Sequence, residues 1–194
     1  TENIFTGENL GGSSSGGVRS RYFCSLHYNN NPSGWNGFTT LGDFYDKFEA
    51  TDKRRGDSYT GVTNVSGLRV GLLLGQQYNQ SGTALQDRKG NPLSFTKAVK
   101  AVETDPKTLE VTGIRVVKYP PDYNNGDNVD NDFVIFRYAD ILLMQAEAYL
   151  RNSPANANAA RDLVNAVRAR SGASALGSVT LDQVLDERGR ELYW

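Results

Sequence analysis

Cysteine and histidine are nearly absent from this 194-residue sequence: each occurs once, as Cys24 and His27. One cysteine excludes an internal disulfide framework and any thiolate metal cluster. Cys24 is therefore read as a small buried hydrophobe. His27, the one histidine, is read as a structural residue. Excess charge is also lacking. Lys plus Arg number 21 and Asp plus Glu 22, for a formal charge of -1, and no basic run tracks a phosphate backbone. Nucleic acid is excluded as a partner on that ground. Long hydrophobic runs are missing too, since ILLM at 141–144 and LLL at 72–74 fall far short of a membrane span. The opening TENIFTGENLGGSSSGG has neither a basic start nor an apolar centre, so it is no signal peptide. Any export or anchoring signal is expected to lie outside this chain.

What is present divides into two unlike halves. Of the 20 glycines 17 precede Val134, as do 15 of the 20 aromatics. The chain is accordingly divided into a loop-rich, aromatic-rich region, 1–133, and a helical region, 134–194. In the first, GGSSSGG at 11–17 reads as a mobile loop and 18–28 as a strand. NNNPSGWNG is turn material, and LGDFYDKF at 41–48 sets Leu41, Phe44, Tyr45 and Phe48 at helical spacing. LRVGLLL (68–74) and LEVTGIRVVKY (109–119) carry strand signals, with Gly113 as a turn or bulge and Pro120-Pro121 as a stop. The segment 122–132, DYNNGDNVDND, reads as a polar loop.

In the second half, FRYADILLMQAEAYL (136–150) reads as an amphipathic helix with Tyr138, Ile141, Leu142, Ala148 and Tyr149 on its inner face. Ser153 as N-cap and Pro154 at the first helical position open a second helix, which runs to about Arg170 on a face of Ala160, Leu163, Val164 and Val167. Gly172 suits its left-handed stop. Thr180 followed by Gln183 forms a capping box for a third helix, with Leu181, Val184, Leu185 and Leu192 inward and Asp186, Glu187 and Arg190 pairing along its flank. The span 138–171 is 34 residues, the period of a tetratricopeptide helix pair, and Ala146 and Ala148 permit close packing of its two helices. A single repeat cannot bury its outer faces by stacking. Its neighbours are expected in the loop-rich half, in a missing part of the protein or in another chain, and the third helix, stopping at Tyr193-Trp194 without a capping glycine, reads as a cut end. The expected fold is mainly α, with loops and short β segments around one helix pair.

The ordered motifs Arg-Tyr-Ala-Asp (137–140), Leu-Leu-Met-x-Ala-Glu-Ala (142–148), Asn-x-Val-Arg-x-Arg (165–170) and Glu-Arg-x-x-Glu-Leu (187–192) closely resemble the C-terminal part of the SusD/RagB family. GWNGFTTLGDFYDKFEATDKRR, ending in Asp52, Arg54 and Arg55, resembles the family's segment in which an aromatic loop leads into a helix, and GIRVVKYPPD is also similar. The resemblance covers most of the chain but only the later part of the family's usual length. It implies a truncated SusD-like fold and a non-enzymatic surface protein of Bacteroidetes that captures a glycan or other nutrient. It further implies an outward-facing outer-membrane location, a SusC-like TonB-dependent transporter as partner, and membrane attachment only through an N-terminal lipid not carried by this chain. No cofactor is implied.

For glycan capture the residues point to HYNNNPSGWNGF, 27–38. A sugar ring needs a flat aromatic platform for its C–H face and amides for its hydroxyls. Trp35 with Asn36, flanked by Tyr28, Asn30 and Phe38, supplies both, and Gly34 and Gly37 allow close backbone approach. The plain alternative is that Trp35 packs onto the 41–48 helix and the asparagines merely form turns. Two further constellations are set aside. The 122–132 loop fails the EF-hand template, since Gly126 is one position early and Phe133 stands where Glu is needed. Glu187 and Glu191 lie a turn apart but among arginines, which makes ion pairs a better account than a glycosidase acid/base couple. Arg137 with Asp140, and Asp162 with Arg168 and Arg170, are read as scaffold contacts. The rival to nutrient capture is a helical-repeat interaction module for a protein or peptide segment, with Trp35 buried and an apolar groove between helices.

Overall fold

The computed structural model describes residues 2–10, 22–31, 33–56, 70–105, 108–119 and 129–194. The glycine-serine stretch at 11–17, the 18–21 part of the expected first strand, the proline pair and most of the 122–132 loop lie outside the described residues.

Short strands and helices alternate through the first half. Strand β1 (Asn3–Gly7) is followed by helix α1 (Tyr22–Ser25), helix α2 (Gly42–Tyr45), strands β2 (Gly71–Leu73), β3 (Gly75–Gln76), β4 (Ser94–Phe95), β5 (Arg115–Val117) and β6 (Phe133–Arg137). The long helices α3 (Tyr138–Arg151), α4 (Ala157–Ser171) and α5 (Leu181–Leu192) follow. Among the described residues the strands pair only in twos, all antiparallel: β1 with β6, β2 with β5, and β3 with β4.

Where a strand was expected over 18–28, the described part is a single helical turn. Phe23 and Leu26 are both buried, three residues apart, which is the spacing of a helix face and not of a strand. The 41–48 helix is shorter than its pattern: α2 has only four residues, with Phe48 buried beyond it and Leu41 exposed. Of the 109–119 strand only β5 forms, preceded by a 3-10 turn at Thr108–Glu110. Gly113 lies between them with φ +82°, and a Cβ there would meet the Thr39 side chain at 2.2 Å. Glycine meets both demands.

The first long helix begins two residues late, because Phe136 and Arg137 belong to β6 and pair with β1. Its fully buried residues are Ala139, Leu143 and Ala146, and of the predicted face only Leu142 and Tyr149 pack against the core. Tyr138, Ile141 and Ala148 are exposed, so the helix is rotated from the expected orientation. Helix α4 starts at Ala157, capped by Asn156, whose Oδ1 accepts the Ala159 N–H. Ser153 and Pro154 instead sit in a connection folded back on α3 by a bond from the Asn156 N–H to the Tyr149 carbonyl. The expected α4 face, the left-handed stop at Gly172 and the Thr180–Gln183 capping box are all present.

Helix α5 departs most from its pattern. Leu185 is 67% exposed and Leu181 is exposed as well, while Glu187 and Glu191 are fully or almost fully buried beside Val184. The cause is a network of arginines. Arg54 bonds Asp52 through Nε and Nη2 (2.9 and 2.7 Å) and reaches Glu187 and Glu191 with Nη1, each at 2.8 Å. Arg168 and Arg190 also hold Glu187, at 3.0 and 2.7 Å. Arg137 donates to the Glu191 carboxylate (2.6 Å) and backbone carbonyl (2.7 Å), and Arg170 pairs with Glu191 and Glu2. Burial disfavours ionised carboxyls, yet Arg54 and Arg190 hold Glu187, and Arg170 and Arg137 hold Glu191, below the usual carboxylate range. Asp140 pairs with Arg188 and Asp162 with Arg161, so these residues too make contacts within the protein. So the motifs around 52–55, 137–140, 165–170 and 187–192 meet at one buried charge cluster.

That cluster joins the two halves, as does an apolar cluster in which Phe48, Leu72, Ile114 and Val116 pack with Tyr193 and Trp194. Lys118 donates to the Glu191 and Tyr193 carbonyls at the end of α5 (2.7 and 3.1 Å), and burial, with Arg137 nearby, lowers its pKa to about 7. Among the described residues no helix is long and apolar enough to cross a membrane.

Candidate functional site

The aromatic loop is built on the carbonyl groups of the α1 turn. Backbone N–H groups of Trp35, Asn36 and Gly37 donate to the carbonyls of Phe23, Leu26 and Cys24 at 2.8–2.9 Å, and the Gly34 N–H donates to His27 O at 3.2 Å. The return strand therefore lies directly on the turn. At Gly34 a Cβ would stand 2.3 Å from Leu26 O, so only glycine fits there. Cys24 is partly buried, and its carbonyl receives the N–H of both Gly37 and Phe38.

This backbone lock leaves the rings outside. Trp35 is 60% exposed and Phe38 59% exposed. Trp35 rests on Phe23 edge to face, with centroids 5.0 Å apart, and Phe38 lies 6.4 Å from Trp194. Tyr28 is 41% exposed, with the Arg88 guanidinium 4.6 Å above its ring and the His27 ring 5.1 Å away.

The amides point the other way. Asn36 adopts φ 54°, a left-handed conformation that asparagine tolerates better than most residues. Its Nδ2 donates to Glu110 O (2.9 Å), and its Oδ1 accepts from Arg115 Nε (2.8 Å). Asn30 Oδ1 accepts the His27 N–H (2.9 Å), closing the turn. Of the five residues singled out for binding, three thus present rings to solvent, and the side chains of Asn30 and Asn36 are engaged with the protein itself.

Beneath the loop lies a second polar cluster that the sequence did not reveal. His27 is fully buried; its Nδ1 accepts the Asn29 N–H (3.0 Å) and its Nε2 donates to Glu110 Oε1 (2.9 Å). These bonds require the neutral imidazole. Burial lowers its pKa despite the Glu110 carboxylate. Glu110 is buried too, which opposes its ionisation, but the Arg88 backbone N–H, His27 and the Arg88 side chain together hold it below the usual range. Arg115 is fully buried, over the Phe95 ring, and donates to the carbonyls of Glu110, Thr112 and Gly113 as well as to Asn36. Burial pulls it down to about 10, so it stays charged at neutral pH. Nothing in the spacing of Glu110 or Arg115 announces a partnership with Asn36, because a long stretch of chain separates them.

A cavity of about 750 Å³ lies apart from this loop, between β2, β5 and β6, lined in part by Lys53, Lys118, Tyr119, Asp132, Arg170 and Glu191. Lys118, Arg170 and Glu191 are partners in the interactions described above. No group of three or more potential metal ligands occurs among the described residues.

The fold has known counterparts. A SusD superfamily protein from Parabacteroides distasonis matches with a TM-score of 0.59 and 18% identity over 99% of this chain and 36% of the other. Surface glycan-binding protein A from Bacteroides uniformis matches with a TM-score of 0.54 and 23% identity, over 98% and 34%. Surface glycan-binding protein A from Bacteroides thetaiotaomicron, in complex with laminarihexaose, matches with a TM-score of 0.50 and 16% identity, over 98% and 39%. This chain thus spans little more than a third of the length of these solved chains. No curated protein sequence matches it. The likenesses concern the fold, whose helices and short strands are SusD-like, and the family is settled by a sequence model: since the SusD family model matches residues 1–194, the chain belongs to the SusD family.

Proposed function

We propose that this chain forms part of a non-enzymatic protein that captures a glycan at the bacterial outer-membrane surface and delivers it to a TonB-dependent transporter of the SusC type. The observation that carries this reading is the pair of exposed rings, Trp35 and Phe38, on a loop whose backbone is bonded to the α1 turn. Rings held in place before the ligand arrives lose little entropy on binding, and their apolar faces suit the C–H face of a sugar. Asn30 and Asn36 serve in this reading as positioning residues, with backbone groups and neighbouring side chains meeting the hydroxyls. Membership of the SusD family, and the glycan-binding descriptions of two structural relatives, support the ligand class. Family membership also supports outer-membrane attachment through an N-terminal lipid, and a tetratricopeptide-like role for the α3–α4 pair. A buried Trp35 would favour the interaction-module alternative, and Trp35 is exposed.

The test is calorimetric titration of the full-length protein with a panel of soluble polysaccharides, oligosaccharides and peptides, on wild type and Trp35→Ala. Saturable heat with one glycan class, weakened by ~1–3 kcal/mol in Trp35→Ala by analogy with other ring-stacking sites, is the expected result. Heat from peptides alone, or glycan binding indifferent to Trp35, would overturn it.

A further inference from the structure

We propose that the Tyr28 end of the aromatic loop is a subsite for an anionic group on the captured saccharide, a uronate carboxylate or a sulfate ester, with Arg88 as its binding residue. The inference rests on the glycan-capture reading and specifies the substrate class of that same loop.

A guanidinium recognises a carboxylate or sulfate best when its planar fork is already oriented. Arg88 is oriented twice. Its guanidinium carbon lies 4.6 Å above the Tyr28 ring, and its Nε faces Glu110 Oε2 at 3.3 Å. Its backbone is held as well, since the Arg88 N–H donates to Glu110 Oε1 at 3.0 Å. The terminal nitrogens of Arg88 have no hydrogen-bond partner among the described residues, and the side chain is 61% exposed. The fork therefore presents its donor end to solvent.

The local charges favour an incoming anion. Glu110, the carboxylate paired with Arg88, is 6% exposed and also receives His27 Nε2 and the Arg88 N–H, so its charge is shared and turned inward. Asp87 accepts the N–H groups of Lys89 and Asn91 and the Asn91 amide, which directs it into its own turn. Lys89 adds a second cation beside Arg88. Arg88 pairs with the buried Glu110 carboxylate through Nε, which fixes the side chain and leaves its terminal nitrogens for a second anion.

The subsite and Trp35 stand on one loop. His27 O accepts the N–H groups of both Asn30 and Gly34, so Tyr28 and Trp35 leave the same closed turn. The 86–92 turn bearing Arg88 is fastened to it by Asn29 Nδ2 on Gln86 O (2.8 Å), and the preceding 78–84 turn by a bond between the Asn31 and Gln80 side chains. In the proposed path an oligosaccharide on Trp35 meets a cation at the Tyr28 end of the loop.

The experiment titrates the full-length protein with three size-matched oligosaccharide sets, one uronate-containing, one sulfated and one neutral, on wild type, Arg88→Gln and Trp35→Ala, with thermal unfolding to check each fold. Wild type is expected to prefer one acidic set, and the preferred set identifies carboxylate or sulfate as the source of the charge. Arg88→Gln should lower that affinity by about tenfold or more, as loss of a charged hydrogen bond does, and lower the neutral affinity by less. A neutral oligosaccharide bound as tightly as both acidic sets, or acidic binding unchanged in Arg88→Gln, overturns the subsite while leaving glycan capture intact. No saccharide binding at all, or binding indifferent to Trp35, overturns both.

Discussion

The buried charge cluster around α5 and the aromatic loop over α1 are built from opposite materials, and each does what the other's composition suggests. Around α5, Asp52, Glu187 and Glu191 meet Arg54, Arg137 and Arg168 in the interior, residues whose charges alone would place them in water. In the loop, Trp35 and Phe38 face solvent while Asn30 and Asn36 bond inward. Charge here serves the scaffold and apolar area serves the surface. The physical reason is pairing: a buried ion is tolerable when opposite charges and hydrogen bonds surround it, and an exposed ring is tolerable when its backbone is tied elsewhere.

The most severe way to break this contrast is to remove one member of the cluster. Arg54→Ala leaves fully buried Asp52 without its paired guanidinium and takes one of three arginines from Glu187 and from Glu191, so it should cost ~3–5 kcal/mol, read by denaturant unfolding, because truncating one partner strands a buried charge. A loss below about 1 kcal/mol, the range of surface ion pairs, would show that the cluster is not a structural keystone.

Within the loop, adjacent residues sharpen the comparison. Asn36→Ala removes the partner of buried Arg115 Nε and places alanine at a left-handed φ, so it should cost on the order of 1–3 kcal/mol of stability. Trp35→Ala gives up its edge-to-face contact with Phe23 and should cost ~0.5–1.5 kcal/mol, with its larger consequence in ligand binding. Thermal unfolding of the two variants side by side checks the order; a reversal would mean that Trp35 belongs to the core.

Acid should separate the regions in time along a titration. His27 has its folded pKa below the ordinary 6.5, so the unfolded chain takes up its proton first and the loop loses stability as pH falls below about 6.5. Glu187 and Glu191 have folded pKa values below 4.5, so their contribution is present above that pH and is lost as pH falls through the lowered values. Protection from hydrogen exchange, relative to the intrinsic rate at each pH, should therefore fall at the Asn29, Gly34 and Trp35 amides before it falls in α5. Simultaneous loss, or loss in α5 first, would contradict the arrangement. The smallest effect is expected at Leu185, where Leu185→Ser on the exposed side of α5 should change stability by less than about 0.5 kcal/mol.

The legible parts of the fold are those set by local chemistry. The α4 face, the Gly172 stop and the Thr180–Gln183 box followed from residues within a turn of one another. The orientation of α3 followed only in part: Leu142 and Tyr149 pack inward as read, but Tyr138 and Ile141 are as apolar as Ala139, Leu143 and Ala146 and are exposed. The small residues admit the closer approach of α4, and that neighbour selects between stripes. The inward face of α5 was missed for a related reason: leucines outrank glutamates in any pattern until Arg54, Arg137 and Arg168 arrive from three other segments. In the loop, Trp35, Tyr28 and Phe38 stand out by residue type, whereas Arg88, Glu110 and Arg115 do not, since they reach it through long-range contacts.

By itself the sequence determined the helical second half, its caps, the aromatic loop and, through ordered motifs, the SusD family. Only the tertiary structure decided which helix stripes are buried, that Glu187 and Glu191 are interior, and that the loop turns its amides in and its rings out. Local propensities act over a few residues and are written in the chain's order, while burial of charge and exposure of rings depend on partners that sequence distance conceals.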